Sequence, residues 1–258
     1  MLGFDGVDGE PGEAGPPGSP GAAGTVLDFT DIPLRRVGIF QAGNVTAPTG
    51  GTGFVALGTP PTTNDGTVGA VLEVSPGGGF DSGVRASVGH VTGSGTNALS
   101  GYRSTVEWTQ YRHQPIAKFL WATGADVTNL RIWIGLFSTL PVSTDDPVGH
   151  VAGFRLSNAS GGAGDTNFQV LAKDAVTLNI QDSGIAVVAS KVYLFEIDMT
   201  DAGEIVYRLR DGSSDVSFSA IANLPTSTTS LFLVFRCANG NSGAARTIRT
   251  SAAFLSSR

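Results

Sequence analysis

Glycine recurs at every third position at the start of the chain: Gly3, Gly6, Gly9, Gly12, Gly15, Gly18, Gly21 and Gly24. The triplets between them read GFD, GVD, GEP, GEA, GPP, GSP and GAA. At an average glycine usage of about 7%, eight glycines in register have odds of roughly 10⁻⁹, which excludes chance. The period has a physical cause: three wound polyproline-II strands bring every third residue onto an axis where only a hydrogen fits as side chain. Pro11, Pro16, Pro17 and Pro20 pre-set the extended φ that such strands need. A flexible linker needs no register, so residues 1–24 are expected to form a collagen-like stem about 60 Å long, with the eight glycines on the axis. A triple helix needs three chains, and a homotrimer is expected.

The stem carries Asp5, Asp8, Glu10 and Glu13 with no Lys or Arg between Gly3 and Gly24, so a trimer places 3 × 4 = 12 carboxylates near one axis. That repulsion predicts that the head trimerises first, or that a basic partner grips the stem. Met1-Leu2-Gly3 runs straight into the repeat without a basic or apolar leader, so the expectation is a chain lacking a signal peptide and assembled in a cytoplasm. The free end of the stem is the natural attachment point to a larger particle. No run of 18 apolar residues is present to cross a bilayer, and no membrane partner is expected.

Residues 25–61 read as a neck or linker, with turn signals at Ala47-Pro48-Thr49-Gly50-Gly51 and apolar Val37, Ile39 and Phe40 after Arg35-Arg36. Residues 62–258 read as a β head. Short β-branched and aromatic segments alternate there with Gly, Asn, Asp, Ser and Pro, as in antiparallel sandwiches. Expected strands are 67–74, 84–91, 104–111, 116–121, 130–137, 151–156, 167–172, 176–180, 192–199, 204–210, 231–236 and 247–254. In 104–111, Val106 and Trp108 share a face opposite Glu107 and Thr109. No amphipathic helix of three turns is evident, and the expected class is mainly β: a short triple helix followed by a two-sheet jelly roll.

Composition narrows the function. Charged residues are 15% of the chain and hydrophobic ones 41%, which fits burial of surface against copies of itself. The net charge of −6 and the absence of a Lys or Arg cluster argue against nucleic-acid binding, which relies on neutralising phosphates. A single cysteine, Cys237, makes no internal disulfide and sits beside the apolar run 231–235, as an inert buried thiol would.

Collagen triplets followed by such a head resemble the fibre and spike proteins of tailed bacteriophages, and the head is similar to the concanavalin-like jelly rolls of phage structural proteins. The head resemblance rests on Arg131-Ile-Trp-Ile-Gly-Leu-Phe137, Val151-Ala-Gly-Phe-Arg-Leu-Ser157, Asp182-Ser-Gly184, Tyr193-Leu-Phe-Glu-Ile-Asp198 and Arg246-Thr-Ile-Arg-Thr-Ser251. It implies a trimeric appendage on the virion, at capsid or tail, anchored to other virion proteins through its N-terminal end and contacting host surface glycans. Secreted collagen-stemmed trimers with C1q- or TNF-like heads share the organisation, but the absent signal peptide and short stem count against them.

Chemistry is sparsely encoded. Glu196-Ile-Asp198-Met-Thr-Asp201 resembles the E-x-D-x-x-E signature of jelly-roll glycoside hydrolases, in which two glutamates flank the bond being cut. Here the last position is aspartate, within an Asp201-Ala-Gly203 turn, so the expectation is solvated carboxylates and no catalysis. His90, His113 and His150 lack paired-ligand spacing, and neither a metal nor a cofactor is expected. Asp145-Asp146 before Pro147 reads as a turn, and Pro76-Gly-Gly-Gly79 as a loop. Sugar binding needs aromatic faces that stack on pyranose rings. Trp108, Trp121 and Trp133 read as core, leaving Tyr102 and Tyr111, near strand ends, as the exposed candidates. The expected function is thus a structural virion appendage, with a glycan-cleaving hydrolase or a purely architectural decoration as alternatives.

Overall fold

The computed structural model describes residues 36–41, 54–58, 67–68, 85–86, 88–104, 109–141, 145–159 and 162–257. All of them belong to the unit Leu34–Arg258. The stem glycines Gly3 to Gly24 lie outside the described residues, as do Trp108 and the 76–79 loop.

The strands are β1 (Arg36–Gln41), β2 (Phe54–Gly58), β3 (Thr67–Val68), β4 (Arg85–Ala86), β5 (Val88–Val91), β6 (Leu99–Ser104), β7 (Thr109–Gln110), β8 (Ile116–Thr123) and β9 (Arg131–Phe137). They continue as β10 (Gly149–Ser157), β11 (Asn167–Ala175), β12 (Leu178–Ala186), β13 (Val192–Asp198), β14 (Ile205–Arg210), β15 (Asp215–Ala220), β16 (Ser230–Ala238) and β17 (Thr247–Ser257). A single 3₁₀ turn, Tyr111–His113, is the one helical element among the described residues.

Two antiparallel sheets face each other. The first runs β1-β17-β8-β13-β14-β15, with β5 also on β17; the second runs β12-β11-β10-β9-β16-β6-β2, with β7 also on β16. Neighbours in each sheet are mostly distant in sequence, as the crossing connections of a jelly roll require. The strands alternate: Ala117, Phe119 and Trp121 of β8 point between the sheets, as do Tyr193, Phe195 and Ile197 of β13 and Phe168 and Val170 of β11. Large aromatic rings fill this interior edge to face. Phe195 lies 5.0 Å from both Phe154 and Phe168, and Trp121 lies 5.8 Å from Phe168. Such pairs favour T-shaped contact because a negative ring face meets a positive edge. Tyr207 of β14 donates its hydroxyl to the Leu171 carbonyl of β11 (2.8 Å), joining the sheets through a fully buried hydrogen bond.

Most expected strands are present, and several run further than the apolar pattern suggested. The 104–111 segment instead divides between the end of β6, the short β7 and the 3₁₀ turn, and its middle, 105–108, lies outside the described residues. β1 and β2 fall inside the 25–61 neck but pair with β17 and β6, so the sandwich extends N-terminally beyond residue 62. β15 was not expected; it is an edge strand on β14.

Candidate functional site

The interior is closed by apolar packing, so function falls to the outer faces and the ends of the sheets. The outer face of the second sheet is unusual in carrying its own apolar cluster: Trp133, Phe137, Val151, Leu171, Val234 and Ala238, with Leu99, Leu140, Leu178 and Phe232 against it. Strand register places arginines among these side chains. Across this face one row reads Gly101 (β6), Arg236 (β16), Trp133 (β9), Arg155 (β10), Gln169 (β11) and Asp182 (β12). The adjacent row reads Arg103, Val234, Gly135, Gly153 and Leu171.

Two of the arginines hold the chain's own loops. Arg155 donates from Nε and Nη2 to both oxygens of Asp165 (3.0 and 3.2 Å) and from Nη1 to Asp146. The Ser157 amide adds a third hydrogen bond to Asp165 (2.8 Å). Arg131 donates to Asp145 (2.9 Å) and to Asn97 Oδ1 (2.8 Å), while Asp145 also accepts from the Ser157 hydroxyl. The Asp145 carbonyl accepts from Trp133 Nε1 (3.4 Å) and the Pro147 carbonyl from Lys173 (2.8 Å). The connection from β9 to β10 starts at the Phe137 end of β9, yet Asp145 reaches Arg131 at the other end, about 20 Å away at strand rise. Residues 145–147 therefore lie over the outer face of β9 and β10. Asp145 and Asp146 were read as a turn; they anchor this connection through buried guanidinium groups.

Among the described residues, no acidic side chain pairs with the remaining arginines on this face. Arg236 is 6% exposed, and among the described residues no carboxylate or carbonyl pairs with it; its Nε has no acceptor. Burial pushes its pKa below the usual guanidinium value. Arg103, opposite Val234 on the neighbouring strand, stacks over the Phe232 ring at 4.9 Å, and among the described residues its Nε has no acceptor. The sequence signal for this pair was present but unread: Arg236 interrupts the run Leu231-Phe-Leu-Val-Phe-Arg-Cys at an outward position of the strand.

The aromatic candidates for sugar stacking are not available. Tyr102 is 0% exposed and packs edge to face on Phe235 at 5.4 Å, because β6 is an interior strand of the second sheet and Tyr102 points inward. Tyr111 is 5% exposed, and its hydroxyl donates to the Asp201 and Glu204 carbonyls (3.0 and 3.3 Å), fastening the 3₁₀ turn to the β13–β14 turn. Burial and the neighbouring Asp201 raise its pKa. Trp121 and Trp133 are fully buried, as expected.

The carboxylates of the hydrolase-like segment lie elsewhere, on the first sheet and its turns. Glu196 is 6% exposed, not solvated, and is paired with Lys118 (3.0 Å) and Arg208 (3.6 Å) from the two flanking strands. Asp198 accepts from the Thr200 amide and hydroxyl, and Asp201 from the Gly203 amide. Both thus close turns. His150 Nδ1 accepts from the Thr226 amide (3.2 Å), and no group of metal-binding side chains occurs among the described residues. Cys237 is fully buried in the core, and burial raises its thiol pKa to about 12.

No protein-family model matches the chain. No curated protein sequence matches it either. Solved structures do resemble it. A Shewanella oneidensis MR-1 protein of unknown function superposes with a TM-score of 0.56 at 13% identity, covering 93% of this chain and 96% of that one. Peanut lectin superposes at 0.53 and 11% identity, covering 87% and 97%. Arcelin-5, a lectin-like defence protein from Phaseolus vulgaris, gives 0.53 at 9% identity, covering 87% and 98%. At these identities the likeness concerns the fold: the antiparallel sandwich is a jelly roll of the lectin type.

Proposed function

We propose that the chain is a subunit of a homotrimeric, non-enzymatic fibre or spike on a phage capsid or tail, whose lectin-type head contacts host surface glycans. The observation that carries this reading is the joining of an unbroken Gly-X-Y register to a head with the fold of peanut lectin and arcelin-5. A collagen-like stem supplies three chains and reach, and three equivalent heads raise the avidity of individually weak sites without any new contact. The N-terminal side of the stem joins other virion proteins, and assembly takes place in the host cytoplasm. The absence of catalysis is supported by Glu196, whose carboxylate is committed to Lys118 and Arg208, and by Asp198 and Asp201, which are committed to turns.

The test is the solution mass of the full chain and of a shortened chain beginning at Thr25, followed by a glycan array with the assembled species. Both are expected to be trimers, near 3 × 26.4 = 79.2 kDa for the full chain. Monomers in both would overturn the reading. A trimer that binds no glycan would favour purely architectural decoration.

A further inference from the structure

Four consecutive side chains of β12, Asn179, Ile180, Gln181 and Asp182, are exposed in the intact chain. Successive residues of a strand point to opposite faces of its sheet, so neither face of β12 is covered along this stretch. β15, an edge of the first sheet, behaves differently. There Val216 and Phe218 are half-buried between exposed Asp215, Ser217 and Ser219, as on a strand with one face against the body of the head. β12 thus stands out from the sandwich, with β11 on one side and no described strand on the other.

An open edge offers backbone N–H and C=O groups to another chain, and soluble proteins guard such edges with Lys, Pro or inward-pointing charges. Leu178-Asn-Ile-Gln-Asp-Ser-Gly-Ile-Ala186 has neither Lys nor Pro. Its one charge, Asp182, is turned to the chain's own groups, accepting from the Gly184 amide (2.7 Å) and the Asn167 side chain (2.9 Å). Apolar side chains border the strand. Ile180 is 41% exposed and Val176, in the β11–β12 turn, 86%. Val148, 61% exposed, precedes Gly149, which pairs with Ala175 beside Val176.

The regular part of β12 is short and sets a register. Leu178 to Asp182 pair residue for residue with Lys173 to Gln169; the register then shifts, and Ala186 meets Asn167. Ile180 is the middle of that run. A two-fold axis through it lays a second β12 antiparallel on the first, with Ile180 against Ile180, Asn179 against Gln181 and Leu178 against Asp182. The two Asp182 residues are then four positions apart, about 13 Å, so no like charges stand opposite each other. The edge is complementary to itself.

We propose that β12 is a strand-addition site for a second copy of this chain, joining two heads through one continuous antiparallel sheet. The contact is isologous, so it links two copies and does not close a ring of three. In a homotrimer each head presents one such edge, and the edges join neighbouring trimers. Five paired residues a side make a small contact beside the roughly 1,200 Å² of a stable interface, so the heads are expected to associate weakly. Close spacing of heads on one particle would raise the effective concentration.

The experiment uses the full-length protein with Ile180→Cys or Val176→Cys, oxidised by glutathione disulfide; Cys237 is fully buried and takes no part. Directly opposite residues of an antiparallel pair have Cα atoms about 4.5–5.5 Å apart, within the span of a disulfide. Val176 of one copy lies eight positions, about 26 Å, from Val176 of the other. Ile180→Cys is therefore expected to cross-link two chains at least tenfold faster than Val176→Cys, although Val176 is the more exposed. Sedimentation of wild type up to about 1 mM should show mass rising above that of the unit seen at high dilution. Ile180→Lys, which sets two ammonium groups against each other, should abolish that rise. A monomer at high dilution would refute the trimeric stem, yet it should still pair into dimers through β12. Equal cross-linking rates for the two cysteine variants overturn the proposal, as does a wild-type mass that stays constant with concentration.

Discussion

Arg155 and Asp165 show what a buried charge demands of its neighbours. The Arg155 side chain is 4% exposed and that of Asp165 8%, whereas Asp146, the third member, is 63% exposed and loses little if it returns to water. Replacing Arg155 by Met therefore strands one buried carboxylate, and removal of one partner from a buried pair costs about 3–5 kcal/mol. The Asp165 oxygen would keep only the Ser157 amide as a strong donor. Arg155→Met is expected to destabilise the head by that amount in urea unfolding, and adding Asp165→Asn should recover a large part of it. The asparagine oxygen can still accept from Ser157 while the stranded charge is gone. Strict additivity of the two substitutions would show that the pair is not coupled.

The elements are closed by aspartates that accept backbone amides, and the β14–β15 hairpin is the most heavily built of these turns. Asp211 Oδ1 accepts from the Ser213 and Ser214 amides (3.0 and 2.7 Å) and the Ser213 hydroxyl (2.9 Å), while Oδ2 takes Lys191 (2.6 Å) from the β12–β13 connection. Burial alone would raise its pKa, but Lys191 and the serine donors outweigh it and hold the carboxyl at about 2. A pKa depressed by folding contributes stability that is full above the unfolded value of about 3.9 and is lost as pH falls through the folded value. Asp211→Asn should accordingly lower the melting temperature at pH 7 and flatten its fall between about pH 4 and 2. An equal fall in both proteins would show that this turn carries none of the acid sensitivity. Asp126, Asp174 and Asp182 are held low by similar donors but are common to both proteins and cancel. Strand interiors were legible because apolar alternation dictates them; β15 was not, because Asp215-Val-Ser-Phe-Ser-Ala220 offers only Val216 and Phe218 as half-buried markers at a sheet edge. Tyr102 was misread for a related reason. Its same-face neighbours Ser100 and Ser104 are polar yet 0% exposed, so polarity pointed outward on a strand face that packs inward. Ser104 is tolerated there because its hydroxyl accepts the Leu233 amide (3.2 Å). β1 and β2 were hidden among glycines and prolines whose turn signals outweighed short apolar runs. Pairing between strands far apart in sequence placed Arg236 beside Arg103, and no local pattern encodes that register.

At the scale of the whole molecule, the proposed stem and the head should respond to acid in opposite directions. Asp5 and Asp8 are one triplet apart, as are Glu10 and Glu13, which is about 9 Å along a triple helix. That spacing lies within the screening length of about 10 Å at 0.1 M salt, and a homotrimer would repeat each level on three chains. Ionised carboxylates crowded along one axis repel, and their protonation relieves that repulsion. The stability of the proposed stem should then rise as pH falls into the ordinary carboxylate range near 4. The head loses its aspartate-derived stability only below the unfolded value, so a window near pH 4 to 5 firms the stem while the head remains intact. Circular dichroism melting of the full chain should place the stem transition higher at pH 4.5 than at pH 7. Added magnesium should raise it at pH 7, where the carboxylates are charged, and do less at pH 4.5. A stem that melts earlier at pH 4.5 would overturn the electrostatic account. The ionised carboxylates would then be stabilising groups, and the search for what holds them would move to whichever particle protein grips the stem.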